Sequence, residues 1–131
     1  MPKLEDGEQM LQSFRDLLVW QKAMDLTETI YRLTRNFPRE EIYGLSVQLR
    51  RAAISIPSNI AEGQGRSGVK EFRQFLDIAR GSVCEVQTQL EIACRVSVGH
   101  RDELDTAITQ SHEVGKLLFL LLRSLKTTSK L

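Results

Sequence analysis

The chain has 131 residues, of which 18 are Lys or Arg and 17 are Asp or Glu, so its formal net charge is +1. The length is that of one ordinary domain, and the balance of charge argues against a histone-like or ribosomal-protein-like polycation. A hydrophobic content of 41% is enough for a packed core and too high for a disordered chain. Eight glycines and three prolines are few for an all-β or loop-rich protein.

Hydrophobic periodicity predicts a first helix over about residues 13–36, which Pro38 ends because proline disfavours helical geometry in the residue before it. Its apolar residues form two stripes, one through Trp20 and Tyr31 and the other from Val19 to Phe37. The second predicted helix, over about 40–63, is also amphipathic and has acidic residues in its first turn.

Pro57 lies inside the second helical pattern and removes one backbone donor, so a kink or a break is expected there. Asn59 and Glu62 have the spacing of a capping pair that could restart the helix. We predict one helix, kinked at Pro57, rather than two.

The glycine-rich segment 63–68 connects to a third predicted helix over about 68–97, which Ser67 is placed to cap. A fourth helix is predicted over about 102–126. Four amphipathic helices with short connections predict an all-α fold, an antiparallel up-down-up-down four-helix bundle that forms a single domain over 1–131.

Two features exceed what one bundle needs. The run LLFLLL at 117–122 covers every face of nearly two helical turns, and the first helix carries two apolar stripes. Large exposed apolar patches usually mark a protein interface; a well-buried central helix in a monomer is the alternative. We predict a homo-oligomer whose interface includes Trp20, Tyr31, Leu117, Phe119 and Leu120.

The sequence offers little for catalysis or for a cofactor. Cys84 and Cys94 are ten residues apart, which is about 15 Å along one helix and too far for a disulfide, so buried free thiols are expected. His100 and His112 are the only histidines, and we expect no metal site, no cofactor and no small-molecule substrate. Neither a transmembrane span nor a signal peptide is apparent, so a cytoplasmic location without membrane contact is expected.

The glycines of 63–68 formally spell GxGxxG, but a helix precedes them where a dinucleotide fingerprint needs a strand, which favours a simple turn. The start of the third helix, with Arg66 and Lys70, could instead hold a phosphate or an RNA backbone. Arg50, Arg51, Glu62 and Glu85 lie beside small or apolar residues, which suggests a partly buried Arg–Glu network of structural rather than catalytic use.

Charge is unevenly spread. Residues 47–81 carry 6 bases and 3 acids and residues 114–131 carry 4 bases and no acid, whereas 1–46 and 82–113 are acidic. The basic segments suit RNA phosphates as well as they suit a plain solvated helix face, and an oligomer would repeat them.

Three stretches are specific enough to indicate a family: VWQKAMDLTETIYRLTRNFP at 19–38, EIYGLSVQLRRAAISIPSNIAEGQGR at 41–66 and EFRQFLDIARGSVCEVQTQLEIA at 71–93. They resemble the four-helix-bundle proteins encoded by intervening sequences of bacterial 23S ribosomal RNA genes, over about residues 14–125, and SIPSNIAEG at 55–63 is the most diagnostic part. The resemblance implies an up-down bundle that assembles as a homopentamer, without an established enzymatic activity.

The same fold resembles the accessory variability determinant of diversity-generating retroelements, which binds a reverse transcriptase and nucleic acid through a strongly basic surface. The net charge of +1 departs from that type. The resemblance carries structural roles over to Arg51, Pro57, Asn59, Glu62, Gly63 and Glu85. The candidates for touching an anionic partner are Arg50 and Arg66, which stand at motif positions of the family, and Lys70, Arg73 and, in the basic tail, Lys126, which are chosen for their local charge.

The sequence thus predicts a non-enzymatic homo-oligomeric scaffold that contacts RNA or a nucleic-acid-associated protein. Two alternatives stay open beside it: an accessory protein of a retroelement reverse transcriptase, and a protein–protein adaptor without nucleic-acid contact. An enzyme that uses the 63–68 turn for phosphate is the least favoured class.

Overall fold

The computed structural model of the chain describes residues 13–129, with side chains described as far as Leu125. This part of the chain contains four α-helices and no strand, which confirms the prediction of an all-α fold for it. The helices are α1 (Leu18–Arg35), α2 (Leu45–Gln64), α3 (Val69–Arg95) and α4 (Arg101–Ser129). Two short 3₁₀ turns, Phe14–Asp16 and Arg39–Glu41, precede α1 and α2.

Both α1 and α2 begin later than the sequence predicts, and local polar groups explain the delay. The Ser13 hydroxyl accepts a hydrogen bond from the Arg15 N–H at 3.1 Å and so caps the first 3₁₀ turn, after which Leu17 is extended. Before α2, the Glu41 Oε1 accepts the Leu45 N–H at 3.1 Å and satisfies one of the free donors of the new helix.

The remaining helix boundaries agree with the prediction to within three residues. α2 continues as a single helix through Pro57. Gly68, with extended backbone, precedes α3, and no side chain caps that helix, so the prediction that Ser67 caps it is wrong.

The core is one cluster of buried apolar side chains from all four helices. The stripe from Val19 to Phe37 on α1 is buried throughout, while the neighbouring stripe through Trp20 is only partly covered. α1 packs against α2 and α4, and α3 packs against the same two helices. Each helix therefore buries one face between two neighbours, as amphipathic helices do.

α2 and α3 are in close contact at Gly63. A Cβ added there would lie 2.7 Å from the Phe75 Cβ and 3.1 Å from the Phe72 Cδ1. Because those atoms belong to half-buried side chains close to the α3 backbone, any side chain at position 63 would push the two helices apart.

The first prediction concerns this contact. Gly63→Ala should lower the free energy of unfolding by about 1 to 3 kcal/mol, since overpacking of a close helix contact forces the backbones to move. Gly81→Ala is the matched control, because no atom lies within 4 Å of a Cβ at that helical position; it should raise stability by about 0.5 to 1 kcal/mol through helix propensity. Urea unfolding at one fixed protein concentration measures both, and equal effects of the two substitutions would contradict the prediction.

Candidate nucleic-acid interface

Arg50 on α2 is a candidate that the structure holds in a defined place. Its Nε donates a hydrogen bond to the Thr34 Oγ1 at 2.8 Å, and its guanidinium stacks over the Tyr31 ring at 4.4 Å from the ring centroid. The side chain is half-buried. A planar guanidinium fixed on an aromatic face loses little further freedom when it binds an anion.

Arg50 lines an open pocket of about 550 Å³ together with Arg35, at the end of α1, and Arg39, in the 3₁₀ turn that follows. Five other residues complete the lining: Thr34, Phe37, Ile42, Ser46 and Val47. We call this site the three-arginine pocket. None of its lining residues is acidic, so the guanidinium charges are not offset from within the pocket.

Several of the other described bases are paired with acids. Ion pairs with carboxylates occupy five of them, namely Lys22, Arg32, Arg66, Arg95 and Arg101. Within residues 13–125, neither Arg35 nor Arg39 has a carboxylate within 4.0 Å, and the contacts of Arg50 are with Thr34 and Tyr31 alone. The three-arginine pocket therefore collects cations that the described chain leaves without a counter-charge.

The other predicted anion-binding residues lie at the opposite end of α2, and the structure does not gather them into one site. Arg66 pairs with Glu62 at 2.7 Å and packs over the Phe75 ring, so much of its charge is compensated. Lys70 is exposed. Arg73 lines a separate groove between α3 and α4 with Arg80, Arg123 and Phe119, where Asp77 adds a negative charge. The side chain of Lys126 lies outside the described residues.

Pro57 leaves the Ala53 carbonyl without its helical donor, because proline has no N–H. The Thr27 hydroxyl of α1 lies 3.2 Å from that carbonyl oxygen and 2.8 Å from the Ala23 oxygen of its own helix, so its single proton is placed to serve either acceptor. The proline thus creates an acceptor that α1 is positioned to satisfy.

The SIPSN part of the same segment joins α2 to α3. The Asn59 side-chain amide donates to the Ser55 carbonyl at 2.8 Å and lies 3.0 Å from the Ser55 hydroxyl oxygen. The buried Ser82 hydroxyl of α3 donates to the same Ser55 oxygen at 2.8 Å. Asn59 therefore belongs to a small polar network next to the core, and the helix does not break and restart in this segment.

The predicted partly buried Arg–Glu network does not form within the described chain. Arg51, Glu62 and Glu85 are all exposed, and Glu62 pairs with Arg66, one turn away. Arg50 is held by Thr34 and Tyr31 instead of a glutamate. Long charged side chains reach solvent at low cost, whereas burying them in one bundle requires full pairing.

The predicted interface residues are covered to different extents. Phe119 and Leu120 are 51% and 40% exposed, while Leu117 and Trp20 are partly buried and pack against the core. The Tyr31 ring has one face covered by Arg50. Tyr43, a motif position of the family that was not among the predicted interface residues, is 93% exposed beside the three-arginine pocket residue Ile42.

Three further observations concern chemistry. Cys84 and Cys94 are free, but Cys84 is exposed, so the prediction of two buried thiols is wrong. Among the described residues, no group of three or more His, Cys, Asp or Glu is placed to hold a metal ion. Within residues 13–129, none of the four helices combines the length and the apolarity that crossing a bilayer requires.

Arg35 and Arg39 were missed by the sequence analysis because they lie in a segment whose overall charge is acidic. Their position in the sequence could have indicated the site, because they flank Asn36-Phe37-Pro38, where the first helix ends. A helix end followed by a proline turn brings flanking side chains toward the next helix, where Arg50 stands little more than one turn from the start of α2.

The fold and the site define an all-α four-helix protein with an arginine-lined pocket between its first two helices. The family model of the 23S rRNA-intervening sequence proteins matches residues 15–119, and the chain belongs to that family. The resemblance of the sequence to this family is thereby confirmed.

A solved structure agrees with this assignment. The chain is similar to a protein with unknown function from the S23 ribosomal protein family of Bacteroides thetaiotaomicron VPI-5482, with a TM-score of 0.73 and 25% identity. The alignment covers 80% of this chain and 98% of that one. No curated protein matches the sequence.

The second prediction tests the hydrogen bond across the proline. Thr27→Val should lower the free energy of unfolding by about 1 kcal/mol or more, because it removes the donor that faces the Ala53 carbonyl. In a Pro57→Ala background the loss should be smaller, since the alanine that replaces the proline brings its own N–H to that carbonyl. A double-mutant cycle measures the difference.

Thr88→Val is the control for this cycle. The Thr88 hydroxyl is exposed and bonds only the Cys84 carbonyl on its own helix, so its removal should change stability by less than about 0.5 kcal/mol. Strict additivity of the Thr27 and Pro57 substitutions would show that the two positions do not interact.

Proposed function

We propose that the protein is a non-enzymatic, cytoplasmic, homo-oligomeric scaffold that binds RNA through its arginine clusters. The observation that carries this proposal is the three-arginine pocket, whose cations have no carboxylate partner in the described chain. Guanidinium groups match phosphate oxygens, as they match carboxylates, with paired N–H donors in one plane. The net charge of +1 does not oppose this function, because a localised patch is enough to hold a backbone.

The pocket is also organised before any ligand arrives. Arg50 is fixed by Thr34 and Tyr31: its Nε donates to the Thr34 hydroxyl and one terminal amino group lies 3.5 Å from the Tyr31 carbonyl oxygen. The other terminal amino group is left to donate from a guanidinium whose position is set. The groove with Arg73, Arg80 and Phe119 at the other end of the molecule offers a second, weaker contact, since Asp77 offsets part of its charge. Two such sites in each copy would act together in an assembly.

A protein partner is the second candidate. Ile42 and Tyr43 are 49% and 93% exposed next to the pocket, and an aromatic beside arginines is a common composition of protein interfaces. A nucleic-acid-associated protein with an acidic surface would fit the same face, as would a reverse transcriptase if the chain serves a retroelement. RNA is favoured because three arginines without a carboxylate partner in the described chain line the same concave site.

The finer architecture belongs to the same proposal: one domain whose helices run up, down, up and down, with a bend in α2 at Pro57. Contacts between consecutive helices support the alternating helix directions. Thr27 meets Ala53 while Thr34 meets Arg50, so residue numbers rise on α1 as they fall on α2. Across α3 and α4, Val83 lies near Gly115 and Gln87 near His112, in the same opposite order.

Assembly into a homo-oligomer, most simply the pentamer that the family resemblance implies, is supported by apolar surface on α1 and α4. Met24, Phe119 and Leu120 are 40% to 51% exposed on these two helices. Single exposed apolar residues are ordinary, but neighbouring ones on a run such as 117–122 form a patch.

The third prediction concerns RNA. Affinity for a structured RNA should fall about tenfold or more between about 50 and 200 mM salt, because counterions compete at the phosphates. Arg35→Gln with Arg39→Gln should weaken binding about tenfold or more at fixed salt. Arg95→Gln with Arg101→Gln removes the same charge from arginines already paired with acids and should have little effect.

Replacement of Arg66, Lys70 and Arg73 together by Ala should also weaken binding, but less for each charge removed, because Glu62 already compensates Arg66. Filter binding or fluorescence anisotropy measures all of these affinities. Binding that is equally tight at both salt concentrations, and indifferent to the pocket arginines, would remove phosphate contacts from the function. If a complex with a protein partner withstands nuclease and high salt, the alternative of a protein–protein adaptor would be favoured.

The fourth prediction concerns assembly. Light scattering at micromolar concentration should give a particle of several 14.9 kDa chains, five if the pentamer is correct. Phe119→Glu with Leu120→Glu should shift the particle toward one chain, since it places charges in an apolar contact. Ile92→Glu, on an exposed position of α3, should leave the mass unchanged. A wild-type mass of one chain would contradict the proposal.

A further inference from the structure

We propose that the three-arginine pocket binds the terminal phosphate monoester of an RNA strand, in preference to an internal phosphodiester. This inference rests on the proposed RNA-binding function and names the chemical group that the site takes. Charge, hydrogen-bond donors and shape each support it.

The first argument is the match of charge. An internal phosphodiester carries one negative charge, whereas a phosphate monoester carries about −1.5 to −2 at pH 7 and presents three strong acceptor oxygens. The pocket presents three guanidinium groups and no carboxylate among its lining residues. Several unopposed cations converging on one concave site suit a dianion better than a single phosphodiester.

The second argument is the set of free donors. Arg50 uses its Nε for Thr34 and one terminal amino group for the Tyr31 carbonyl, which leaves the other terminal amino group. Arg35 and Arg39 have no carboxylate partner within residues 13–125. The first turn of α2 lines the same pocket through Ser46 and Val47. The described chain supplies no acceptor for their two backbone N–H groups, since the Glu41 carboxylate takes only that of Leu45. These amides add the positive end of a helix to the arginines.

The third argument is shape. A volume of about 550 Å³ lies within the range of small-ligand pockets, so the site is large enough for a nucleotide as well as its phosphate. Phe37, Ile42 and Val47 give one part of the lining an apolar character suited to a ribose or base. A strand end can place one nucleotide in a concavity, whereas an internal nucleotide must bring its neighbours on both sides.

The experiment compares one short RNA in three forms: with a 5′-phosphate, with a 3′-phosphate, and with hydroxyl groups at both ends. Fluorescence anisotropy at constant salt gives the affinities of the full-length protein. At least one phosphate-terminated form should bind about tenfold more tightly than the hydroxyl form, the factor expected for a charge-assisted contact. Adenosine monophosphate serves as the free-nucleotide probe and should compete only weakly.

Arg39→Gln is the main variant, because the Arg39 side chain makes no hydrogen bond or ion pair within residues 13–125 that folding would lose. It should abolish the preference for the terminal phosphate while leaving most of the affinity for the hydroxyl form. Arg101→Gln, at an arginine already paired with Asp105, is the charge-matched control and should keep the preference. Circular dichroism verifies that both variants are folded.

The possible failures are distinguishable. Equal affinity for all three RNA forms would overturn this inference and leave the RNA scaffold intact. Adenosine monophosphate binding as tightly as phosphate-terminated RNA, with loss in Arg39→Gln, would assign the pocket to a free nucleotide and overturn the RNA-end inference. Absence of binding by every RNA form at low salt would overturn the proposed function and this inference with it.

Discussion

A proline inside a helix sets the constraint on which the rest of this structure depends. Pro57 cannot donate to the Ala53 carbonyl, yet α2 continues as one helix to Gln64. The chain tolerates the missing bond because Thr27 brings a hydroxyl from α1 to that carbonyl. Two residues before the proline, the Ser55 hydroxyl accepts a hydrogen bond from the Ser82 hydroxyl of α3. The segment that would be the weakest part of an isolated helix thereby becomes the place where three helices are joined by polar contacts.

This arrangement makes α2 the organising element of the molecule. Close packing at Gly63 fixes its distance from α3 near one end. Near its other end, Arg50 reaches across to Thr34 and Tyr31 of α1. The same helix therefore holds the core together and fixes the guanidinium around which the pocket is built. Substitutions in the SIPSN segment should affect the site through the relative placement of α1 and α2, without touching a ligand themselves.

The distribution of ion pairs explains how a nearly neutral protein can carry a positive site. Most of the described ion pairs join residues one helical turn apart, as in Arg32 with Glu28 and Arg95 with Glu91. Such exposed pairs add little stability, but they neutralise much of the surface. The pocket is distinctive because three arginines that lack this compensation line one site. A nearly neutral protein can thus present a concentrated positive site, and repetition in an oligomer would multiply it without a high net charge.

The sequence by itself determined the helices, the buried stripe of α1 and the family. Each depends on local periodicity or on an uninterrupted motif, which neighbouring residues encode directly. Only the tertiary structure decided which charges are free. Arg66, Lys70 and Arg73 are close in sequence but do not line one site, and the compensation of Arg66 follows from Glu62 one turn earlier. Arg35, Arg39 and Arg50 come from three elements, and exposed charges follow no period that would have grouped them. Their meeting depends on how α1 packs against α2, because contacts between helices, unlike the helices themselves, are set by the packing of the whole core.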